Sequence, residues 1–247
     1  MTKLSKLKEG KSVEQNQDYV GGGYTVLESG IYEGVLKHAY LQDTDKGATM
    51  IDLGFEVDGK TISVSECVMS GDKKGNKTYY VNKDGKQVNL PGFQLAQDIC
   101  LILTDEVLSK QNTKEKVVKV WNKDKGAQVP TPVDMFVDLI GEEFLLAIKK
   151  EIHDKRVETA NGYEPTGETR EVNVFAKAMD LKSRKTVAEA KADDESTFYD
   201  NWLAAWEGKT TDRSTMKKET SSTSSEDGSK SSGSMFNKKK KKKKKED

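Results

Sequence analysis

GIYEGVLKHAYLQDTDKGATMIDLGFEVDGKTISVSECV, residues 30–68, holds three strand-like runs joined by two turns. In the first run Ile31, Val35, Ala39 and Leu41 share one face, and Tyr32, Gly34, Leu36, His38 and Tyr40 share the other. A turn follows at Asp43-Thr44-Asp45-Lys46-Gly47, after which Ile51, Leu53, Phe55 and Val57 recur at every second residue. Asp58-Gly59 signals a type I′ hairpin, because both central positions of that turn take positive φ. The third run sets Ile62, Val64 and Val68 against Ser63, Ser65 and Cys67. Such alternation predicts an antiparallel meander with one face in the core. Its other face carries tyrosine and small polar residues, and a ligand is expected there.

A chain of 247 residues suits one large domain, or one medium domain with tails. Only 34% of the residues are hydrophobic and the mean hydropathy is −0.76, yet the apolar residues concentrate in 24–206. The expected organisation is a flexible lead over 1–23, a folded domain over 24–207, and a disordered tail over 208–247. The formal net charge of zero conceals a split. From Lys209 onward 13 Lys and Arg stand against 6 Asp and Glu, so residues 1–208 hold 28 basic and 35 acidic side chains. An acidic body argues against indiscriminate binding of polyanions but allows a local basic strip. Cys67 and Cys100 lie in apolar patterns without metal-ligand spacing and read as buried reduced thiols. No signal-peptide pattern opens the chain, and no run approaches the ~18 apolar residues of a membrane span. A soluble intracellular protein is expected.

Beyond the meander, Lys73, Lys74 and Lys77 precede Tyr79-Tyr80, and Lys83-Asp84-Gly85-Lys86 marks a second hairpin turn. Lysines interleaved with tyrosines suit a single-stranded nucleic-acid groove, where ammonium groups track phosphates and rings stack on bases. Pro91 opens a helix whose Phe93, Ala96, Ile99, Cys100, Leu103 and Val107 form one apolar stripe. Residues 109–132 read as a lysine-rich excursion loop, with 117–121 a candidate short strand and Trp121 either the loop's anchor, the favoured reading, or a base-stacking residue beside Lys116, Lys119 and Lys123. Residues 144–176 read as a long hairpin with a loop at 159–169. Along it Lys149, Lys150, Lys155, Arg156 and Arg170 form a second basic stripe, and Tyr163 lies in the loop. Residues 183–194 are linker or helix, and FYDNWLAAW (198–206) is an amphipathic helix that docks on its own domain. The tail combines a Ser/Thr-rich stretch with eight lysines from Lys238 to Lys245, a composition that binds polyanions through counterion release.

Two histidines, His38 and His153, exclude a histidine-rich metal site. No phosphate-binding glycine loop, nucleotide fingerprint or nucleophile elbow occurs. Asp52 with Asp58-Gly59-Lys60 has a superficial likeness to a metal-dependent nuclease motif, but an ordinary hairpin turn explains it. No nucleophile and base can be paired. The expectation is a protein that is not an enzyme and needs no cofactor or metal.

The predicted order of meander, short hairpin, helix, loop and closing hairpin is mainly β with an inserted helix, the layout of an elaborated OB-fold, a five-stranded Greek-key barrel. SGIYEGVLKHAYL, GATMIDLGFEVDGKTISVSECV, NLPGFQLAQDICLIL and LIGEEFLLAIKKEIHDK followed by NVFAKAMD together resemble the OB-fold single-stranded DNA-binding proteins of bacteriophages, over roughly residues 20–207. The resemblance implies a protein that coats single-stranded DNA, without sequence preference, in phage DNA replication, recombination and repair. It implies the cytoplasm of an infected bacterial host, with replication or recombination proteins as further partners and no membrane. Such proteins commonly end in an acidic tail, whereas this chain ends in lysines followed by Glu246-Asp247. The DNA-binding residues expected are Lys73, Lys74, Lys77, Lys149, Lys150, Lys155 and Arg156 for phosphates, with Tyr79, Tyr80 and Tyr40 for bases. The alternatives are an interaction module that recruits partners through its aromatic helix and basic tail, and a metal-dependent nuclease.

Overall fold

The computed structural model describes residues 26–122, 125–159 and 162–215; the expected lead and the lysine tail lie outside these residues. Three strands open the fold, β1 (Gly30–Asp43), β2 (Thr49–Val57) and β3 (Lys60–Met69), paired antiparallel as the alternation predicts. Asp58 and Gly59 turn the second hairpin with φ of 49° and 74°. Along β2, Ile51, Leu53, Phe55 and Val57 are all buried.

The expected faces of β1 are corrected. A bulge between Leu36 and His38 shifts the register against β2, and an extra residue in one strand reverses its alternation. Leu36 before the bulge and Ala39 after it are therefore both fully buried in one core. Tyr32 packs on that core, and its hydroxyl donates to the Glu28 carbonyl at 2.8 Å, so it does not belong to the ligand face. Ile31 packs on the opposite side of the sheet.

Next come a small separate hairpin, β4 (Tyr79–Val81) with β5 (Gln87–Asn89), and helix α1 (Pro91–Thr104). The expected excursion loop is instead a ribbon, β6 (Lys114–Asn122) with β7 (Ala127–Met135), joined to β1 at Tyr40 and Leu41. Strands β8 (Glu143–Thr159) and β9 (Gly162–Met179) form the closing hairpin. Pairing runs out to Thr159 and Gly162, so most of the loop expected at 159–169 is strand. Helices α2 (Val187–Ala192) and α3 (Phe198–Trp206) follow, and then β10 (Thr210–Asp212). That last strand pairs parallel with β8, and Thr215 donates to Asp154 through its backbone and hydroxyl, so 208–215 belong to the fold although composition places them in the tail.

One mainly antiparallel sheet of eight strands results, with the order β10-β8-β1-β2-β3, β9 on β8, and the β6–β7 ribbon on β1. It is open among the described residues: β3 approaches β9, but no ladder joins them. Helix α1 packs across β3 and β9 and inserts Leu95, Ala96, Ile99 and Cys100 into the core. Phe55 and Phe144 meet at 4.9 Å between ring centroids, with Phe175 edge-on to Phe55 at 6.3 Å. Buried Asp98 in α1 pairs with Lys177 of β9 and accepts from Gln94, which offsets the cost of burying its charge.

Residues 144–148 (FLLAI) are buried without alternation because β8 is covered on both faces. Phe144, Leu146 and Ile148 enter the main core, while Leu145 and Ala147 meet Trp202 of α3 and Met179. Glu189 links the last two helices. Its carboxylate accepts backbone hydrogen bonds from Thr186, Thr197 and Phe198. Desolvation alone would raise its pKa, but these bonds outweigh it and bring the pKa down to about 2.

A folded-state pKa below the unfolded value stabilises above the ordinary carboxylate range, and that stability is lost as pH falls through the folded pKa. Glu189→Gln should therefore lower the melting temperature at neutral pH and narrow its gap to the parent protein towards pH 2, as measured by thermal denaturation across pH. At Gly34 a Cβ would overlap the Glu56 carbonyl oxygen and the Phe55 ring. Gly34→Ala should cost about 1–3 kcal/mol, read as a lower urea midpoint.

Candidate nucleic-acid interface

Where β3 ends, the chain folds back against the β1–β2 turn. A single 3-10 turn at Asp72–Lys74 and left-handed Gly75 and Asn76 reverse its direction. The Asp72 amide donates to the Lys46 carbonyl at 3.2 Å, and Ser70 and Lys77 exchange two hydrogen bonds of 2.9 Å. These bonds bring Lys46 beside Lys73, Lys74 and Lys77. The four lysines, with Tyr79, Tyr80 and Cys67, line a recess of ≈ 500 Å³. Lys77 Nζ lies 5.7 Å from the centre of the Tyr79 ring, within cation–π reach, and Tyr80 is 47% exposed. Among the described residues none of the four lysines is in an ion pair. Five of the expected site residues thus converge on one wall, with ammonium groups available to an anion and ring surface beside them.

Cys67 connects this recess to the outer face of the meander. The cross-strand rows there are Gln42–Met50–Cys67, Tyr40–Asp52–Ser65 and His38–Gly54–Ser63. Residues two apart on a strand are ~7 Å apart on one face. Tyr40 thus stands one row from the recess. His38 covers Gly54, where a Cβ would overlap its ring, and contacts Tyr40 with centroids 5.6 Å apart. Burial lowers the His38 pKa, which keeps the ring neutral near pH 7. Burial also raises the Asp52 pKa against a hydrogen bond from Ser65, and Asp52 Oδ2 is buried without a partner. Burial and then the Asp52 charge raise the pKa of Tyr40.

The second basic stripe divides. Lys155 and Arg156 converge with Arg170, Arg213 and exposed Tyr163 around a hollow of ≈ 640 Å³, where Lys155 is already paired with Glu168 at 2.8 Å. Lys149 and Lys150 belong to neither site. Lys149 Nζ sits 3.4 Å from the centre of a Trp206 ring, and burial there lowers its pKa. Lys150 bridges Glu28 at 2.9 Å and Glu171 at 3.2 Å. The alternation of β8 sends the two side chains to opposite faces, and each finds a partner distant in sequence.

Two residues escape the sequence reading: Lys46 joins the recess from a turn, and Arg213 joins the hollow from the segment read as tail. Trp121, read from the sequence as a loop anchor ahead of a stacking residue, is 64% exposed on β6. The Val117-Val118-Lys119-Val120-Trp121 run was the signal for that strand. Cys100 is buried as expected, whereas Cys67 is only half-buried; both are free thiols. Among the described residues no three His, Cys, Asp or Glu side chains converge to hold a metal ion, and no helix is long and apolar enough to cross a membrane. No family model matches the chain, and no characterised protein matches it in sequence.

A carboxyl whose pKa is raised by folding destabilises the fold as pH rises from the ordinary carboxylate range through the folded pKa. Asp52→Asn should keep the shape and the Ser65 contact while removing the buried charge. Its stability relative to the parent should increase between pH 4 and pH 7 in urea denaturation.

Proposed function

We propose that this chain is a non-catalytic protein that binds single-stranded DNA without sequence preference, as a bacteriophage does in replicating, recombining and repairing its genome. The observation that carries the reading is the convergence of Lys46, Lys73, Lys74, Lys77, Tyr79 and Tyr80 on one open recess. Lysines there neutralise phosphates while tyrosine rings stack on bases, worth about 1–3 kcal/mol per base for any sequence. Tyr40, one row away on the outer face, continues the track, and the neutral His38 ring supports it. Lys155 and Arg156, with Arg170 and Tyr163, offer a second contact of the same composition. Lys149 and Lys150 are left out of this mechanism because aromatic and carboxylate partners already hold them.

An OB-like barrel is the arrangement we favour for the sheet. β1 lies between β2 and β8, α1 spans the gap between β3 and β9, and those two strands approach one another. The alternative of a partner-recruiting module loses much of its basis, since α3 turns its aromatic face onto its own sheet and Trp202 is 6% exposed.

Tyr79→Ala with Tyr80→Ala should weaken binding to oligo-dT at least about tenfold, from the loss of two stacking contacts. Unchanged titration curves would remove those tyrosines from the site. Replacing Lys73, Lys74 and Lys77 together by alanine should reduce the slope of log K against log salt by about 2, at ~0.7 per phosphate contact on single strands. Lys150→Ala serves as the control and should leave that slope unchanged.

A further inference from the structure

Among the described residues three aromatic side chains are exposed, Tyr80, Trp121 and Tyr163. Each stands on a different hairpin. Tyr80 and Tyr163 sit beside the two cationic hollows already described. Trp121 is 64% exposed on the β6–β7 ribbon, and the hollow it borders is lined by Asp43 and Asp134 instead of lysines. Register places Glu115, Val117, Lys119 and Trp121 on one face with Gln128, Pro130, Pro132 and Asp134, all exposed, with the acidic pair at the base of the ribbon and Lys119 beside Trp121 towards its tip. The opposite face is partly shielded, with Val118, Val120, Val129 and Thr131 intermediate in exposure and Val133 buried. The described ribbon residues carry Lys114, Lys116, Lys119 and Lys125 against Glu115 and Asp134, so a locally basic arm projects from an acidic body. β7 meets β1 at Tyr40, on the outer face of the meander one row along and two strands across from Cys67 of the recess.

We infer that the β6–β7 ribbon is an additional binding arm for single-stranded nucleic acid. Trp121 stacks on a base beyond the main track, and Lys119 on the same face with Lys125 in the turn contact the flanking phosphates. The inference rests on the single-stranded DNA reading. It commits to that occupant because an exposed indole within a set of lysines matches a chain of flat bases joined by phosphates. A fully apolar protein surface would leave those lysines without anionic partners.

The test uses the full chain with Trp121→Phe and Trp121→Ala. Trp202 is buried and Trp206 is covered by Lys149, so Trp121 is the tryptophan placed to report a base. Oligo-dT is expected to quench the intrinsic tryptophan emission of the parent protein, and both variants should lose most of that quenching. By polarisation of labelled oligo-dT, Trp121→Ala should bind at least about fivefold more weakly, while Trp121→Phe, which keeps a ring, should bind nearly as the parent does. Full quenching in Trp121→Phe together with parental affinity in Trp121→Ala would overturn the arm and leave the main site standing. A parent protein that self-associates through Trp121, with Trp121→Ala monomeric and binding DNA normally, would likewise overturn it in favour of a second copy as the occupant. If the parent fails to bind labelled oligo-dT at all, the single-stranded DNA reading falls, and the arm with it.

Discussion

Strand β1 is hydrogen-bonded along both edges, and the rest of the structure hangs from that arrangement. Its first half joins β8, its second half joins β2, and Tyr40 and Leu41 also meet β7. The bulge at Leu36–His38, close to where pairing passes from β8 to β7 along one edge, adds a residue and reverses the faces. Leu36 and Ala39 can then occupy one core, while His38 and Tyr40 stay together on the outer face. Gly54 completes the arrangement, since its missing side chain is the space the His38 ring fills. Core packing and the make-up of the outer face thus depend on the same local irregularity.

The same economy governs charge. The folded body is acidic, yet one group of lysines without ion pairs among the described residues is gathered where backbone hydrogen bonds hold the segment that carries them. Lys46, Lys73, Lys74 and Lys77 are brought together by main-chain and serine contacts that leave their ammonium groups uncommitted. Lys150 and Lys177 show the opposite use, each tied to carboxylates as part of the scaffold. Among the described residues no carboxylate pairs with these lysines, so an anion reaching the recess would have none to displace, which would favour fast, salt-sensitive association over tight fixed geometry.

Much of this was legible in the residues. Period-two alternation and Asp58-Gly59 mark the meander, Pro91 marks α1, and the aromatic stripe marks α3 with its correct bounds. The lysine–tyrosine recess was legible because most of it is local, from Lys73 to Tyr80. The bulge was not, because no residue type at 36–38 announces an extra residue. Only 117–121 of the β6–β7 ribbon was legible as a candidate strand, because Pro130 and Pro132 read as breakers and β6 sets two adjacent valines among lysines. Lys149 and Lys150 were misplaced for a different reason. Adjacent strand residues point to opposite faces, and Trp206 and Glu28, the partners that hold them, lie far away in sequence.

The two prolines of β7 have a consequence for solubility. An exposed ribbon with an uncovered apolar face and an open edge is a template on which a strand from another molecule can add. Pro130 and Pro132 stand opposite Lys119 and Val117, on a strand whose other edge meets β1 only at Asp134 and Met135. Proline offers no amide donor, and in a sheet it is tolerated where that missing donor would face solvent. The unpaired edge therefore lacks two of the hydrogen bonds an incoming strand needs. The β6 side adds Lys114, Lys116 and Lys119, whose charges repel a second copy. The ribbon can keep its indole bare without becoming the seed of an intermolecular sheet.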